Sequence, residues 1–338
     1  MKTKQLLGIV VSGLVIIAVG VTGVIGNVIN AKFAKEEESS GGFWESLINM
    51  EMADEIVLPE EDFVGVINVV GEIGPSTESL WSYTENTYNH QLYMDYVDAL
   101  MYADNNKGIM LYVDSPGGTV YESDELYLKL MEYKEVTKRP IYAYFGAEAC
   151  SGGYYIAMAA DYIVANRNCW TGSIGVIVSL LNCKDLYDKL GIEEIDITSG
   201  ANKAMGSAGL DLTQEQYDIL QSLVDEAYDQ FVEIICTGRD MSEAEVRKLA
   251  DGRIYSAKQA LENKLIDAIG NYEDTQVAFA KQADFPETIT YDVPESSTSV
   301  FFSSLYGMVK DLSPKTDTEL ATDIMENSGN GVLKYYAK

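Results

Sequence analysis

GIMLYVDSPGGTVYESDELYLKLMEYKEVTKRPIYAYF, residues 108–145, decides the fold. Gly108–Val113 is a short apolar run that predicts a buried strand, ending at Asp114-Ser115-Pro116-Gly117-Gly118. Val120–Lys138 reads as a helix stopped by Pro140, since proline has no N–H to continue a helical ladder. Ile141–Phe145 is a second apolar strand. Strand, helix and strand in that order predict a crossover unit with parallel strands.

The alternation continues on both sides. Upstream, Phe63–Val70 (FVGVINVV) predicts a buried strand and Asp95–Ala103 a helix. Downstream come Ser151–Ala160 as helix, Tyr162–Ala165 as strand and the glycine-punctuated Thr171–Val178. Leu220, Leu223, Val224, Ala227, Phe231, Ile234 and Ile235 then repeat as one face of a long helix. Thr213 with Gln216 forms a capping box at its start, and Ser242 with Glu245 and Ser256 with Gln259 mark two more helix starts. An α/β domain is therefore expected over residues 63–284. Beyond it, Ser296–Ser299, Pro314 and Gly329–Gly331 are loop signals, so 285–338 reads as a partly ordered C-terminal extension.

Residues 6–29 carry no charge and are dominated by Val, Ile, Leu and Gly. At about 1.5 Å per residue such a run spans a hydrocarbon core of about 30 Å. It is longer than the apolar part of a cleaved leader and lacks a small-x-small cleavage site, so an uncleaved single-pass membrane anchor is expected. Residues 1–5 would be cytoplasmic, 30–62 a linker, and the folded domain extracytoplasmic.

Acidic side chains outnumber basic ones 53 to 24, for a net charge of −29. Such a surface repels phosphate backbones and excludes nucleic acid as a partner. Four cysteines (Cys150, Cys169, Cys183, Cys236) show no CxxC spacing, and the chain has one histidine, His90. No metal site is expected. A Ser–His–Asp arrangement could use only His90, and no GxSxG, HExxH or GxxxxGK[ST] motif occurs, so a hydrolase would need a base other than histidine.

Three glycine-rich segments qualify as chemical sites. Ser115-Pro116-Gly117-Gly118 follows a strand and precedes a helix, where bare backbone can aim N–H groups at an oxyanion; it also suits an ordinary tight turn. Ser151 lies between a strand and a helix, where the helix dipole favours an alkoxide; a serine there equally serves as a helix cap. Cys150 is a rival nucleophile with no histidine near it in sequence to make a thiolate. Lys203 is the only charge between Asp196 and Asp211. A free lysine is neutral in only about one copy in 2500 at pH 7, so a lysine base must be desolvated and kept from carboxylates. Lys203 has the sequence neighbourhood for that, and equally for an exposed loop.

Taken together, DSPGG at Asp114–Gly118, SGGYYIAMAAD at Ser151–Asp161, TGSIGV at Thr171–Val176, SGANKAMGS at Ser199–Ser207 and DGRIYSAKQALENKLID at Asp251–Asp267 carry a resemblance. From about Phe63 to Tyr272 the chain resembles the SppA signal peptide peptidases, Ser/Lys enzymes on the ClpP/crotonase-type spiral of repeated β-β-α units. The resemblance implies Ser151 as nucleophile and Lys203 as general base. It implies the Gly118 amide as oxyanion donor, with Gly117 and Gly152 beside it, and Ser173 orienting the lysine. It implies no metal or organic cofactor, hydrophobic peptide substrates such as released signal peptides, and a ring-shaped homo-oligomer whose sites combine Ser and Lys of neighbouring copies. Cys150 departs from the small residue common there. Two other readings share the fold: a non-catalytic peptide-binding or scaffold protein, and a crotonase-like acyl-thioester enzyme, whose nucleotide carrier suits so acidic a chain poorly.

Overall fold

A computed structural model of the chain describes residues 56–75, 88–286 and 289–294, and the backbone of 334–336. The expected anchor at 6–29 and most of the linker lie outside these. Among the described residues no helix is long and apolar enough to cross a membrane.

The elements run β1 (Phe63–Val70), α1 (His90–Tyr102), β2 (Asn106–Ser115), β3 (Gly117–Thr119), α2 (Val120–Thr137), β4 (Ile141–Cys150), α3 (Gly152–Ala157), β5 (Tyr162–Ala165), β6 (Trp170–Gly172) and α4 (Lys184–Leu190). They continue with α5 (Gln214–Arg239), α6 (Glu243–Leu249), β7 (Ile254–Ser256), α7 (Ala257–Glu262), β8 (Ala268–Ile269), α8 (Tyr272–Gln282), β9 (Thr290–Asp292) and β10 (Lys334–Tyr336).

The eight-stranded sheet has the path β7-β6-β4-β2-β1-β9, with β5 joining β4 to β8. Every pairing in it is parallel except β6 with β7. The sheet is therefore mixed, and β9 carries it past the expected domain end at residue 284. β4 is the pivot. Tyr142–Phe145 pairs with β5, whereas Glu148–Cys150 pairs with β6.

β1 is apolar on both faces because both are covered. Phe63, Ile67 and Val69 belong to the main core with Val97 and Leu100 of α1 and Leu126, Leu130 and Tyr133 of α2. Val64 and Val66 join Met110, Tyr142, Phe279 of α8 and Ile289 in a second cluster. α2 ends where Lys138 turns left-handed (φ 58°), two residues before Pro140. All three expected capping boxes form, at Thr213, Ser242 and Ser256.

Half of α5 does not join the core. Phe231, Val232, Ile234 and Ile235 are buried, but Leu223 and Tyr217 nearer its start are exposed. The N-terminal half of α5 and residues 177–212 carry many exposed apolar side chains, Leu181, Leu190, Ile195 and Ile197 among them.

Candidate active site

β4 delivers Ser151 to the edge of the core. The last pairs of β4 with β6 match Ala149 to Thr171 and Cys150 to Gly172, and Thr171 Oγ1 donates to the Ala149 carbonyl at 2.6 Å. Immediately after, the Ser151 amide donates to the Gly172 carbonyl at 2.8 Å. The chain turns sharply there, with Ser151 at φ 54° and ψ −116°, and α3 begins at the next residue. A serine held at such a backbone conformation is strained, by about 1–3 kcal/mol.

Ser151 is not spending its hydroxyl on the helix. Its side chain makes no cap hydrogen bond, so the capping reading is set aside. Ser151 is fully buried, and among the described residues its Oγ is the one buried side-chain oxygen or nitrogen without a hydrogen-bond partner. Buried polar atoms are nearly always satisfied, and leaving one open costs about 1–3 kcal/mol.

Beside the following residue, Gly152, is the glycine turn. Ile73 donates to the Gly117 carbonyl and accepts from the Thr119 amide, each at 2.9 Å, so Ile73 holds β3 from one side. A Cβ on Gly118 would collide with the Ile73 carbonyl oxygen, which restricts the position to glycine. Gly117 has φ 105°, a conformation open only to glycine at low cost. The two glycines are not equivalent as donors. The Gly117 amide donates to Ser115 Oγ at 3.1 Å, and that hydroxyl donates to the Gly71 carbonyl at 2.6 Å. Of the two amides, that of Gly118 is the one the turn itself does not use. Gly152 lies against it: a Cβ there would stand 3.3 Å from the Gly118 nitrogen and would strike Ser123 Oγ. Sequence reasoning missed Ser115 and Ser123, although Ser115 lies within the DSPGG motif.

The rival nucleophile is disabled by its surroundings. Burial pushes the Cys150 thiol up to about 12, with Glu148 adding to the shift, and Sγ points at the Trp170 carbonyl. His90 is occupied at both ring nitrogens, by the Tyr88 hydroxyl at 2.7 Å and by Glu125 at 3.0 Å, bridging α1 and α2. Among the described residues no cluster of His, Cys, Asp and Glu is arranged to hold a metal.

Ser173 is mostly buried at φ 49°, its amide donating to the Arg253 carbonyl at 2.8 Å. It lines a cleft of about 350 Å³ with Val224 and Tyr228 of α5. A larger cleft of about 460 Å³ opens on the opposite part of the sheet, among Tyr93, Tyr112 and Tyr272. Neither of these two clefts is lined by Ser151.

Lys203 stands apart from these. It is exposed, in a run of turns tied to the start of α5 by Gln216, which donates to the Ala201 carbonyl at 3.2 Å, and by Asn202, which donates to Glu215 at the same distance. Among the described residues no carboxylate lies within ion-pair reach of it. The desolvation expected of a lysine base is not supplied by the chain's own fold. Ser151, Gly117, Gly118 and Gly152 are brought together; Lys203 is not brought to them.

Comparison with known proteins defines the class first. Residues 134–285 match the family model described as "Peptidase family S49", and residues 82–171 match that of "Clp protease". A ClpP1 mutant from Listeria monocytogenes covers 68% of this chain and 97% of its own at 14% identity and a TM-score of 0.38, too loose to carry geometry across. A protein of Enterococcus faecium, provisionally named a signal peptide peptidase SppA, is 38% identical over 241 residues, covering 71% of this chain and 69% of the relative. "Protease 4" of Haemophilus influenzae is 36% identical over 51% of this chain and 28% of its own length. The molecule is a serine peptidase with a ClpP-like α/β fold. The chain belongs to peptidase family S49, as an SppA-type member.

Proposed function

We propose that this chain is a membrane-anchored serine endopeptidase that hydrolyses hydrophobic peptides, with Ser151 as nucleophile and Lys203 of a neighbouring copy as general base. The observation that carries the reading is the open hydroxyl of Ser151: buried, strained and unpartnered, beside an amide that only glycine can present.

The exposed position of Lys203 supports the composite site. Its loop belongs to the apolar arm of residues 177–212, whose exposed Leu181, Ile195 and Ile197 need cover. Packing of that arm on the next copy of a ring would remove water from the lysine and bring it to a serine. Neutral Lys203 accepts the Ser151 proton as Oγ attacks the scissile carbonyl, and the Gly118 amide receives the oxyanion. The lysine returns the proton to the leaving amine, then activates water to release the acyl group. Ser173 orients the amine. The apolar run at residues 6–29 supports an anchor that holds the domain outside the cytoplasm, where released signal peptides are one source of hydrophobic substrate.

Turnover of a fluorogenic hydrophobic peptide by the full chain tests the assignment. Ser151→Ala and Lys203→Ala should each lower kcat by about 10³-fold or more, and Cys150→Ala should stay active. Full activity in Ser151→Ala would end the reading.

A further inference from the structure

Four helices among the described residues start on Ser or Thr with Glu or Gln three residues on, the pattern of a capping box. Three of them close the box. The fourth, Thr119 with Glu122 at the start of α2, does not, and Thr119 makes no side-chain cap bond. Its hydroxyl donates instead to the Glu122 carboxylate and also lies 3.3 Å from the Ile73 carbonyl. A missing cap costs about 1 kcal/mol. Glu122 is also buried, and among the described residues no basic group lies within ion-pair reach of it. Burying a carboxyl group away from any cation is unfavourable as well. Helix stability does not explain this pair. The residue before Thr119 is Gly118.

We propose that Glu122 is a positioning residue for the Gly118 amide, acting through Thr119. This rests on the peptidase reading above. Two adjacent glycines have no fixed conformation of their own, whereas an oxyanion donor must be held in place before charge develops. Here the glycine strand is clamped from two sides. On one, Ile73 donates to the Gly117 carbonyl and accepts from the Thr119 amide. The C=O and N–H of a trans peptide point in opposite directions, so the Gly118 N–H is turned away from Ile73. On the other, consecutive residues of α2 hold Thr119. Glu122 accepts from its hydroxyl, and Ser123 Oγ donates to its carbonyl at 2.7 Å. The carboxylate thus fixes the residue that ends the glycine strand, and with it the direction of the amide before it.

The test compares the full chain with Glu122→Ala, Glu122→Gln and Thr119→Val. Glutamine keeps an oxygen that accepts from Thr119, alanine keeps none, and valine removes the hydroxyl itself. Two quantities are read: steady-state hydrolysis of the fluorogenic peptide, and amide hydrogen exchange in the segment containing Gly118. Glu122→Ala and Thr119→Val should each lower kcat by about tenfold, short of the 10²–10³-fold that follows outright loss of a donor. KM should stay within about twofold, because the interaction lost is one made in the transition state. Exchange should speed up in both, and Glu122→Gln should match the wild type in kcat and exchange. In a Gly118→Ala background, Glu122→Ala should cost nothing further, because the amide it positions is already displaced. Thr119→Val breaks the same bond without emptying a buried site, so it carries the comparison should Glu122→Ala not fold. Wild-type kcat in Thr119→Val overturns the proposal, as does a tenfold loss that persists in the Gly118→Ala background or that Glu122→Gln shares. Absence of turnover in every chain removes the peptidase reading instead, and exchange then decides alone. Faster exchange in Thr119→Val than in Glu122→Gln keeps the clamp, and equal exchange overturns it.

Discussion

The α-carbon of Gly152 lies so close to the amide of Gly118 that one added carbon would stand 3.3 Å from that nitrogen and run into Ser123 Oγ. Gly152, which follows the proposed nucleophile Ser151, and Gly118, the proposed oxyanion donor, are thus packed directly together, with no room for a side chain between them.

Substitutions at the two glycines should consequently differ. In Gly118→Ala the new carbon meets fixed backbone of Ile73, so β3 must move and its amide with it. Loss of the donor costs about 2.7–4 kcal/mol of transition-state stabilisation, or 10²–10³-fold in kcat. In Gly152→Ala the main obstacle is the Ser123 hydroxyl, which donates to the Thr119 carbonyl at 2.7 Å. Adding Ser123→Ala should restore part of the activity of Gly152→Ala and none of that of Gly118→Ala, measured as kcat for one peptide.

The buried cysteines should be chemically silent. With its thiol pushed up to about 12, Cys150 is a thiolate in about one molecule in 10⁴ at pH 8, and Cys169 is raised to about 12 by the same burial, with Cys150 adding to it. Alkylation of the native chain at pH 8, read by mass spectrometry, should label partly exposed Cys183 well before either. Reactivity of both buried thiols should appear only on unfolding. Rapid labelling of native Cys150 with loss of turnover would reopen the rival nucleophile.

Arg239 closes the C-terminal end of α5 onto the sheet. Its guanidinium grips both oxygens of Asp267, at 3.0 and 2.7 Å, and its Nε donates to the Lys264 carbonyl. Asp267 also accepts from the Ile163 amide of β5 at 2.8 Å. The arginine side chain is 8% exposed and the carboxylate 27%, so Arg239→Ala leaves a largely buried charge unpaired, costing about 2–3 kcal/mol after allowance for partial screening. Thermal unfolding should shift down by about 5 °C or more. Arg239→Lys should fall between, because one ammonium cannot reproduce the fork.

The apolar arm should govern assembly. Leu181→Asp with Ile195→Asp puts charge on side chains 75% and 73% exposed in the single chain. Folding of the domain should survive, because neither side chain contributes to the core. Sedimentation should show smaller species, and hydrolysis should be lost with them. Retention of large assemblies would place the contact elsewhere.

Much of this was legible in the sequence because local rules and tertiary packing agree. Phe63–Val70 and Tyr162–Ala165 form with the bounds that their apolar runs set, and each capping box closes because its partner lies three residues away. Errors fall where the signal is not apolar. β4 extends five residues past Phe145 through Gly146-Ala147-Glu148-Ala149-Cys150, which pairs with β6 without a hydrophobic pattern of its own. α1 starts at His90, five residues before the expected Asp95, because Asn89 accepts from the Leu92 amide as cap. The helix expected from Ser151 begins at Gly152 and ends at Ala157, leaving the serine outside it.

The site divides along the same line. Ser151 and the paired glycines stand on short segments that the sequence marks as turns between a strand and a helix. Ser115 ties up Gly117 from two residues away, but its anchor on Gly71, like Ile73 forbidding a side chain on Gly118, is a contact across more than forty residues that no motif records. The uncharged neighbours of Lys203 suit a dry amine and an exposed loop equally, and its own chain leaves it exposed. Neutral small residues around a lysine do not exclude water; only a covering surface does.

Mixing the two inactive variants measures the central claim directly. Ser151→Ala and Lys203→Ala chains, dissociated and reassembled together at equal amounts, should regain activity at about a quarter of the wild-type site number, because random neighbours would unite an intact serine with an intact lysine that often. Mixtures that stay as inactive as each variant alone, while forming assemblies of normal size, would contradict a site shared between copies.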